Sequence, residues 1–448
     1  MNILIAGAGE IGAELCRVLS QENHNVTVID ENESCLHRLS EHVDVLTRLG
    51  SATSPHVLLA SGIESTELLV AVTSSDEVNM ICSTMAKRLG VPRVIARVRS
   101  SELSEKDTPI QPSELGIDVL IHPEESAANQ IMELLQNRSA TDVVSLADGK
   151  IQLIGIRIEK DSPVIGFSLS KLARLYPEYP FRIVAISRNQ RTLIPRGHNH
   201  LHPGDQLYLL ADTDNLQKLL EILGHKEQVI RRVMIAGGTA LGQLLVKKLS
   251  QSDGNWKIKV IEPDPDVARR MAESDPDVLV LQGNPTDPDL LAIEGIQEMD
   301  AFISVTHEEE SNIISSLLAK HLEVDKTISL VSNPQYIPLG QTIGLDAMIN
   351  IKASATDDIH REIRKGVYKT VKALQGVRAE IVELVISNGS PLTRGSISQL
   401  DLPDGLIIGG IVHNGTATIA TGTSAMQEGD RAILFGTPES LKRLEKLC

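Results

Sequence analysis

Short apolar runs alternate with amphipathic segments through the first 136 residues of the chain. An apolar run at 2–6 meets a glycine-rich turn, an amphipathic segment covers 13–22, and a second apolar run covers 25–29. A strand, a glycine turn, a helix and a strand in this order are typical of a βαβ unit that binds a dinucleotide. The alternation that follows predicts a parallel sheet with helices on both faces. Further strands are predicted at 43–49, 67–72, 93–98 and 117–121, and further helices at 31–42, 55–61 and 123–136.

The glycine turn predicts a phosphate site. Gly7 allows the tight turn, Gly9 lets the backbone approach a pyrophosphate, and Gly12 lets the helix pack on the strand. The N-terminus of that helix would face the phosphates. Asp30 lies 18 residues beyond Gly12, where a carboxylate can accept both ribose hydroxyls. The predicted contacts of the turn are Gly7, Ala8, Gly9, Glu10, Ile11 and Gly12.

The same pattern returns in the second half of the chain. Its glycine turn begins at Gly237, 230 residues after Gly7, and its second strand ends at Glu262. The recurrence favours ribose contact for Asp30 and Glu262 over two solvated strand ends. The predicted contacts of this turn are Gly237, Gly238, Thr239, Ala240, Leu241, Gly242 and Glu262. A Rossmann-like fold that binds no ligand stays open for the second copy.

A shorter, β-rich segment follows each Rossmann-like copy. Strands are predicted at 151–158, 181–188 and 206–211 in the first segment, and at 379–385, 406–412, 417–420 and 431–435 in the second, with helices at 213–223 and 438–446. The helix predicted at 355–367 matches 123–136 and ends the second Rossmann-like copy. A Gly-Asp turn precedes the last strand of each segment, which is typical of small α+β modules. The predicted domains are 1–138, 139–224, 231–370 and 371–448, with 225–230 as the joint.

Composition excludes nucleic acid as the expected partner. The 448 residues carry a formal charge of −16, and aromatic residues make up only 2 % of them. Binding of DNA or RNA normally needs a basic face, and single strands also need aromatic side chains for stacking. A chain of this length is expected to form two to four domains.

Cysteine use and hydropathy indicate a reducing, aqueous compartment. Cys16, Cys35, Cys82 and Cys448 are scattered, with no C-x-x-C pair, so neither a disulfide framework nor a zinc site is indicated. No apolar run approaches the ~20 residues that cross a bilayer, and we expect no signal peptide. Any membrane connection is therefore expected to come through a partner.

Two polar clusters admit a metal-binding interpretation. His198, His200 and His202 alternate, but the flanking Gly197 and Pro203 favour a solvated loop. The acidic run at 307–310 is explained by the first turn of a helix, where carboxylates complement the helix dipole. We therefore expect no metal site.

The repeated plan resembles the RCK (KTN) family of potassium-transport regulators. The residues that carry the resemblance are the two glycine turns with Asp30 and Glu262, and the stretches 71–80, 95–100 and 305–312. The Rossmann-like copies look like RCK N-terminal domains, and the β-rich modules look like RCK C-terminal domains. The resemblance covers essentially the whole chain, and two such pairs are similar to the tandem RCK subunits of Trk-type potassium uptake.

The resemblance implies a regulator and not an enzyme. It implies a homotetrameric ring at the cytoplasmic face of the cell membrane, docked on a Trk-type potassium channel subunit. NAD(H) or ADP/ATP would bind as a regulatory ligand. By matching position, Ser51 would lie beside the adenosine, Thr73 and Ser74 would close over the phosphates, and Arg97 would offer them a guanidinium. Thr73 or Ser74 is also expected to cap the next helix.

Three positions depart from the family pattern. Glu10 lies inside the phosphate turn and opposes a γ-phosphate, which favours a dinucleotide or ADP over ATP. Ser51 stands where many members have aspartate, so the adenine-side contact is open. Leu330 matches Arg97, so the second copy is expected to bind weakly or not at all.

The alternative is an NAD-dependent oxidoreductase with an unrecognised small substrate domain. Such an enzyme joins its cofactor domain to a sizeable substrate domain that carries a general acid or base. The added modules here are short and duplicated, and show no Ser/Tyr/Lys or His/Asp group placed to take a proton. The sequence therefore favours the regulator.

Overall fold

The computed structural model describes residues 1–22, 24–99, 103, 108–189, 191–225, 229–364, 368–374, 377 and 379–445. The chain divides into two compact units. The first unit is Met1–Ala127 with Ile351–Ile363, and the second is Ala128–Asn350 with Arg364–Cys448. The helix after the second Rossmann-like sheet therefore belongs with the first sheet.

A six-stranded parallel sheet forms the core of the first unit. Its strands are β1 Asn2–Ala6, β2 Asn25–Asp30, β3 Leu46–Leu49, β4 Leu68–Ala71, β5 Arg93–Arg97 and β6 Val119–Ile121. They lie in the order β3-β2-β1-β4-β5-β6, and every pair is parallel. The central strand β4 is buried along its whole length, which explains its uninterrupted apolar sequence. The order reverses between β1 and β4, and doubly wound sheets bind ligands at such a point.

Helices cover both faces of this sheet. They are α1 Glu10–Gln21, α2 Glu33–Ser40, α3 Pro55–Ala60 and α4 Asp76–Arg88. The helix α5 Pro123–Gln136 begins in the first unit and continues into the second. It has the predicted bounds, and its predicted apolar face of Ala127, Ile131 and Leu135 is buried. The glycine turn enters α1, so the N-terminus of α1 lies at the carboxyl ends of the strands.

A five-stranded antiparallel sheet forms the first β-rich module. Its elements are β7 Ala140–Leu146, β8 Ile151–Arg157, α6 Leu169–Leu175, β9 Phe181–Arg188, β10 Arg191–Leu193, β11 Gln206–Asp212 and α7 Leu216–Ile222, in the order β10-β9-β11-β8-β7. The Gly-Asp turn before β11 places a buried carboxylate under the sheet. Asp205 accepts two hydrogen bonds from the Arg188 guanidinium, at 2.6 and 2.7 Å. This fork compensates the buried charge.

The second Rossmann-like sheet repeats the topology of the first. Its strands are β12 Arg232–Ala236, β13 Lys257–Glu262, β14 Leu279–Gln282, β15 Ala301–Ser304, β16 Lys326–Val331 and β17 Ala347–Asn350, in the order β14-β13-β12-β15-β16-β17. Its helices are α8 Ala240–Gln251, α9 Pro265–Ser274, α10 Pro288–Ile293, α11 Glu309–His321 and α12 Tyr336–Ile343, followed by α13 Ile351–Arg364. All its strand pairs are parallel.

The second β-rich module has the same strand topology as the first. Its elements are β18 Tyr368–Ala373, β19 Glu380–Val385, β20 Leu406–His413, β21 Thr416–Ile419, β22 Arg431–Gly436 and α14 Pro438–Glu445, in the order β18-β19-β22-β20-β21. Here the buried Asp430 pairs with His413, 2.6 Å from Nδ1 to Oδ1, where the first module has Arg188 and Asp205. Side chains of both modules share one apolar core, which includes Tyr208, Leu210, Ile381, Val412 and Phe435.

The helix α13 packs in the first unit. Ala355, Ile359 and Ile363 are buried in the same core as the side chains of β1 and α1. Polar contacts also join this helix to the first sheet. Arg93 donates to Glu362 at 3.0 Å, and His360 is 2.8 Å from Glu22 at the end of α1. The first Rossmann-like core is therefore completed by a helix from the second half of the chain.

Within the described residues, three strands were not predicted from the sequence: β7, β10 and β18. Each lies at the edge of a five-stranded sheet and pairs along one side only. The predicted boundary between 370 and 371 falls inside β18. The helix predicted at 355–367 is α13, which begins at Ile351, and residues 365–367 lie outside the described residues. The same is true of 226–228 in the predicted joint.

Candidate nucleotide site

An open cleft of ≈ 420 Å³ lies at the carboxyl ends of β1, β2 and β4. Its position is the point where the strand order reverses. The residues that line it are Gly7, Gly9, Ile29, Asp30, Glu31, Asn32, Cys35, Gly50, Ser51, Ala52, Val72, Thr73, Ser74, Ser75 and Val78. The volume is within the ~300–1,000 Å³ that small-molecule and cofactor sites typically have. Six of the eleven predicted contacts of the first copy therefore line one cleft. The predicted contacts that are not among its described lining residues are Ala8, Glu10, Ile11, Gly12 and Arg97.

The glycine turn has the geometry that close approach of a ligand requires. Gly7 has φ +109°, a conformation that favours glycine, and a Cβ on Gly12 would collide with the Gly7 carbonyl oxygen. A Cβ on Gly9 would meet no atom within 4 Å. Gly9 is also the N-cap of α1, and no side chain caps this helix. The backbone N–H groups at the start of α1 are therefore left for an anion.

Asp30 is held at the edge of the cleft by the backbone. One carboxylate oxygen accepts from the Ala8 N–H at 2.6 Å, and the other accepts from the Asn32 N–H at 2.8 Å. Each oxygen keeps a second lone pair, so the carboxylate can still accept a hydroxyl. On the other side of the cleft Ser51 is 3.0 Å from the Thr53 hydroxyl.

A fully buried asparagine fixes the loop that contains Thr73 and Ser74. The Asn79 amide oxygen accepts from the Thr73 N–H at 2.9 Å and from its hydroxyl at 2.8 Å. The amide nitrogen donates to the carbonyls of Thr73 and Arg97 at 3.2 and 2.9 Å. One side chain thus joins the ends of β4 and β5.

The helix cap differs from the prediction. Ser75, and neither Thr73 nor Ser74, caps α4, and its hydroxyl accepts from the Val78 N–H at 3.2 Å. The Thr73 hydroxyl is engaged by the buried amide of Asn79 instead.

Arg97 is not among the described residues that line the cleft. It is half-buried at the end of β5, its Nε has no hydrogen-bond partner, and burial lowers its pKa although Glu124 opposes this effect. Arg99 is the arginine that contacts the loop. It donates to the Ser74 carbonyl at 2.6 Å, and its backbone N–H donates to Asp76 at 2.9 Å.

Glu10 is the first residue of α1 and follows Gly9 directly. Its carboxylate forms an ion pair with the ammonium group of Lys352, in the first turn of α13. The Glu10 side chain is 70 % exposed and that of Lys352 is 28 % exposed. The charge that the sequence places in the phosphate turn is therefore compensated.

The second glycine turn repeats the backbone of the first. Gly237 also has φ +109°, and a Cβ on Gly242 would again collide with the carbonyl of the first glycine. Glu262 accepts from the N–H groups of Gly238 and Asp264, at 2.5 and 2.8 Å, as Asp30 does in its own turn. The two acidic residues therefore have the same backbone partners.

Side chains of the second turn fill the positions that are open in the first. Thr239 is the N-cap of α8, and its hydroxyl donates to the Val305 carbonyl at 2.8 Å and accepts from the Gly242 N–H at 3.3 Å. Ala240 stands in place of Glu10, and Leu241 is buried. The start of α8 therefore already has an acceptor that α1 lacks.

The buried asparagine is shared by the two copies. Asn312 accepts from the N–H and hydroxyl of Thr306, and it donates to the carbonyls of Thr306 and Leu330 at 3.1 and 3.0 Å. Leu330 has the place of Arg97, as the sequence predicts. The copies thus share this scaffold and differ in the charged groups around it.

Within the described residues, no group of three or more His, Cys, Asp or Glu side chains is placed to hold a metal ion. No helix in that part of the chain has the length and apolar character needed to span a bilayer.

Two domain families match the chain, each of them twice and in alternating order. The TrkA-N domain matches residues 3–123 and 233–351, and the TrkA-C domain matches 153–224 and 381–448. The chain belongs to the TrkA family. Relatives named Trk system potassium uptake protein TrkA share this arrangement at full length. The protein of Azorhizobium caulinodans is 30 % identical over 100 % of this chain and 98 % of its own, and that of Haemophilus influenzae is 32 % identical with the same coverage.

Solved RCK structures have the same fold. The GsuK RCK domain is similar with a TM-score of 0.61 at 18 % identity, covering 100 % of this chain and 94 % of its own. The GsuK channel bound to NAD is similar with a TM-score of 0.61 at 17 % identity, covering 100 % and 78 %. The predicted class, two Rossmann-like parallel-sheet domains each followed by a small β-rich RCK C-terminal domain, is confirmed.

Sequence reasoning missed three residues of the site. Asn79 recurs as Asn312 in the matching helix, and this recurrence of a polar residue at a helix position was the available signal. Arg99 lies two residues after Arg97, in the stretch that carries the family resemblance. Lys352 had no sequence signal, because only the packing of α13 brings it to Glu10.

Proposed function

We propose that the chain is the nucleotide-sensing regulatory subunit of a Trk-type potassium uptake system. The main support for this proposal is the first cleft. There α1 begins without a side-chain cap, directly after a glycine turn in which a Cβ on Gly9 would meet no atom within 4 Å. The ligand is NAD(H) or another adenine nucleotide. It acts as a signal and leaves the cleft chemically unchanged.

The residues present fit such a ligand. The backbone from Gly7 to Gly12 and the start of α1 receive the pyrophosphate, and Asp30 accepts the ribose hydroxyls. Ser51 lies on the adenosine side, and Thr73 and Ser74 lie on the phosphate side. The phosphate contact of Arg97 remains a prediction.

Binding is coupled to transport through assembly. The relatives' name refers to potassium uptake, and the RCK neighbours include a channel bound to NAD. In the proposal the chain forms a homotetrameric ring on a Trk-type membrane subunit at the cytoplasmic face. A ligand that prefers one state of the ring by roughly 1–3 kcal/mol is sufficient for ordinary allosteric control.

The oxidoreductase alternative gains no support from the cleft. The described residues that line it include no His, Lys or Tyr, the residue types besides carboxylates and thiols that most often move a proton. Its titratable members are Asp30, Glu31 and Cys35, and the backbone already engages the first of them.

Calorimetry with NADH tests the proposal. Wild-type protein should bind NADH saturably with no loss of its absorbance. Asp30→Ala should weaken binding by about 1–3 kcal/mol, because charged hydrogen bonds are lost. Glu262→Ala, the matched change in the second copy, should have a much smaller effect. Equal affinity of wild type and Asp30→Ala would refute the ribose assignment, and NADH oxidation with any candidate substrate would favour the enzyme.

Co-purification tests the partner. The chain should be retained in mild detergent with a multi-spanning potassium channel subunit, and its deletion should change potassium uptake. Absence of any retained membrane protein, together with unchanged uptake, would remove the transport role.

A further inference from the structure

We propose that the Glu10–Lys352 pair determines how many phosphates the first cleft accepts, so that two-phosphate ligands are favoured over a nucleoside triphosphate. This inference rests on the proposed nucleotide site. It adds a residue from the second half of the chain to that site.

The pair lies beside the turn that would receive the ligand's phosphates. Glu10 is not among the described residues that line the cleft, but it directly follows Gly9, which lines it, at the start of α1. An isolated carboxylate there would repel any phosphate. Lys352 cancels most of this repulsion because the two side chains form an ion pair.

The neutralised turn favours two phosphates for a simple electrostatic reason. A pyrophosphate on the start of α1 leaves the ion pair intact. A third phosphate that extends towards Glu10 meets its negative charge, or draws Lys352 away and leaves Glu10 without compensation. Either event costs free energy that a diphosphate or a dinucleotide does not incur.

The position of Lys352 is held from several directions. Its helix is anchored by the buried side chains of Ala355 and Ile359 and by contacts of Glu362 and His360. Partial burial lowers the pKa of Lys352, which is consistent with an ammonium group enclosed by protein on one side. The backbone that carries Lys352 is therefore fixed in the first unit, while its flexible side chain can turn towards Glu10 or towards a phosphate.

The second copy lacks both members of the pair. Ala240 stands in place of Glu10, and the residue that corresponds to Lys352 in the matching helix α5 is Glu124. The sequence thus has no acidic residue at the matching place in the capped turn and no lysine at the matching place in α5. This joint occurrence is expected if the two residues act together.

The test measures the affinities for NADH, ADP and ATP by calorimetry on the full chain. Wild type should bind NADH and ADP more tightly than ATP. Glu10→Gln should improve ATP relative to ADP by roughly three- to tenfold, as one charge is removed several ångströms from the third phosphate. Lys352→Gln should weaken all three ligands, and ATP most. The ratio of ATP affinity to ADP affinity in the double variant should be closer to that of Glu10→Gln than to that of Lys352→Gln.

A matched control variant distinguishes an effect of charge beside the phosphates from a general effect on the packing of α1 against α13. Glu22→Gln changes the contact between Glu22 and His360 of α13, at the far end of α1 from the cleft. It should leave the ATP-to-ADP ratio unchanged. An unchanged ratio in Glu10→Gln and Lys352→Gln, with wild-type binding intact, would overturn the inference and leave the proposed function standing. No binding of any nucleotide to wild type would overturn both.

Discussion

The two Rossmann-like copies have the same backbone and differ where phosphates would lie. In the first, Gly9 leaves the start of α1 without a side-chain cap, and Glu10 with Lys352 supplies a compensated charge beside it. In the second, the Thr239 hydroxyl occupies the start of α8. A duplicated fold thus keeps its turn geometry, while the helix after the turn has a side-chain cap in the second copy and none among the described residues in the first.

The copies also use matching cations in matching places. Arg93 begins β5 and holds α13 through Glu362. Lys326 begins β16 and donates to the carbonyls of Arg138 and Ala140, just after α5. Each sheet therefore anchors a segment from the other half of the chain. The first sheet does so with the partly exposed ion pair of Arg93 and Glu362, and the second does so with the buried ammonium group of Lys326.

Loss of the buried asparagine that the two copies share should have the largest effect on the free energy of unfolding. Asn79→Ala and Asn312→Ala should each lower the free energy of unfolding by about 3 kcal/mol, because several buried groups lose their partners. Chemical unfolding of both variants measures this. A loss below about 1 kcal/mol in either variant would contradict the role of the asparagine.

Exchange of the helix N-cap residue between the two glycine turns should change which copy binds the nucleotide. Gly9→Thr should reduce NADH affinity about 100-fold, or roughly 2.7 kcal/mol, by capping α1 and filling the open space. Stability should change little, since a Cβ there meets nothing within 4 Å. Thr239→Gly is the reciprocal variant, and calorimetry compares the two. Wild-type affinity in Gly9→Thr would contradict the comparison.

The buried cation of the second copy should give stability a pH dependence. Burial lowers the pKa of Lys326 from 10.5 to about 8. The unfolded chain therefore binds more protons between these values, and stability rises with pH in that window. Relative to Lys326→Met, wild type should gain roughly 2 kcal/mol from pH 8 to 9.5.

Unfolding of wild type and Lys326→Met at several pH values in this window measures the effect. Arg93→Met is the control at the matching position of the first copy, and it should show no such rise. Parallel pH profiles for wild type and Lys326→Met would contradict the assignment.

The smallest expected effect is protection of a thiol in the first cleft. Cys35 lines the cleft, whereas Cys16 and Cys82 are buried, and burial raises the pKa of both thiols to about 12. In a Cys448→Ser background, NADH at about ten times its Kd should slow alkylation of Cys35 about tenfold, because only the free fraction of the protein reacts. Mass spectrometry of the labelled peptide reads this out, and equal rates would place the ligand elsewhere.

Sequence patterns predicted the parts of this structure that depend on local order. The glycine turn, Asp30, the doubled topology and the loss of Arg97 at Leu330 are all readable from spacing along the chain. Edge strands β7, β10 and β18 were missed, since each pairs along one side only. Lys352 could not be predicted from spacing, because its contact with Glu10 depends on α13 packing in the first unit. The cap at Ser75 was also missed, because the buried amide of Asn79 engages the Thr73 hydroxyl.

A crystal structure of the chain grown with stoichiometric NADH tests the central claim most directly. The account predicts density for the nucleotide in the first cleft, with phosphates beside Gly9 and a ribose at Asp30, and none over Thr239. An empty first cleft, or a nucleotide bound only at the second turn, would contradict it.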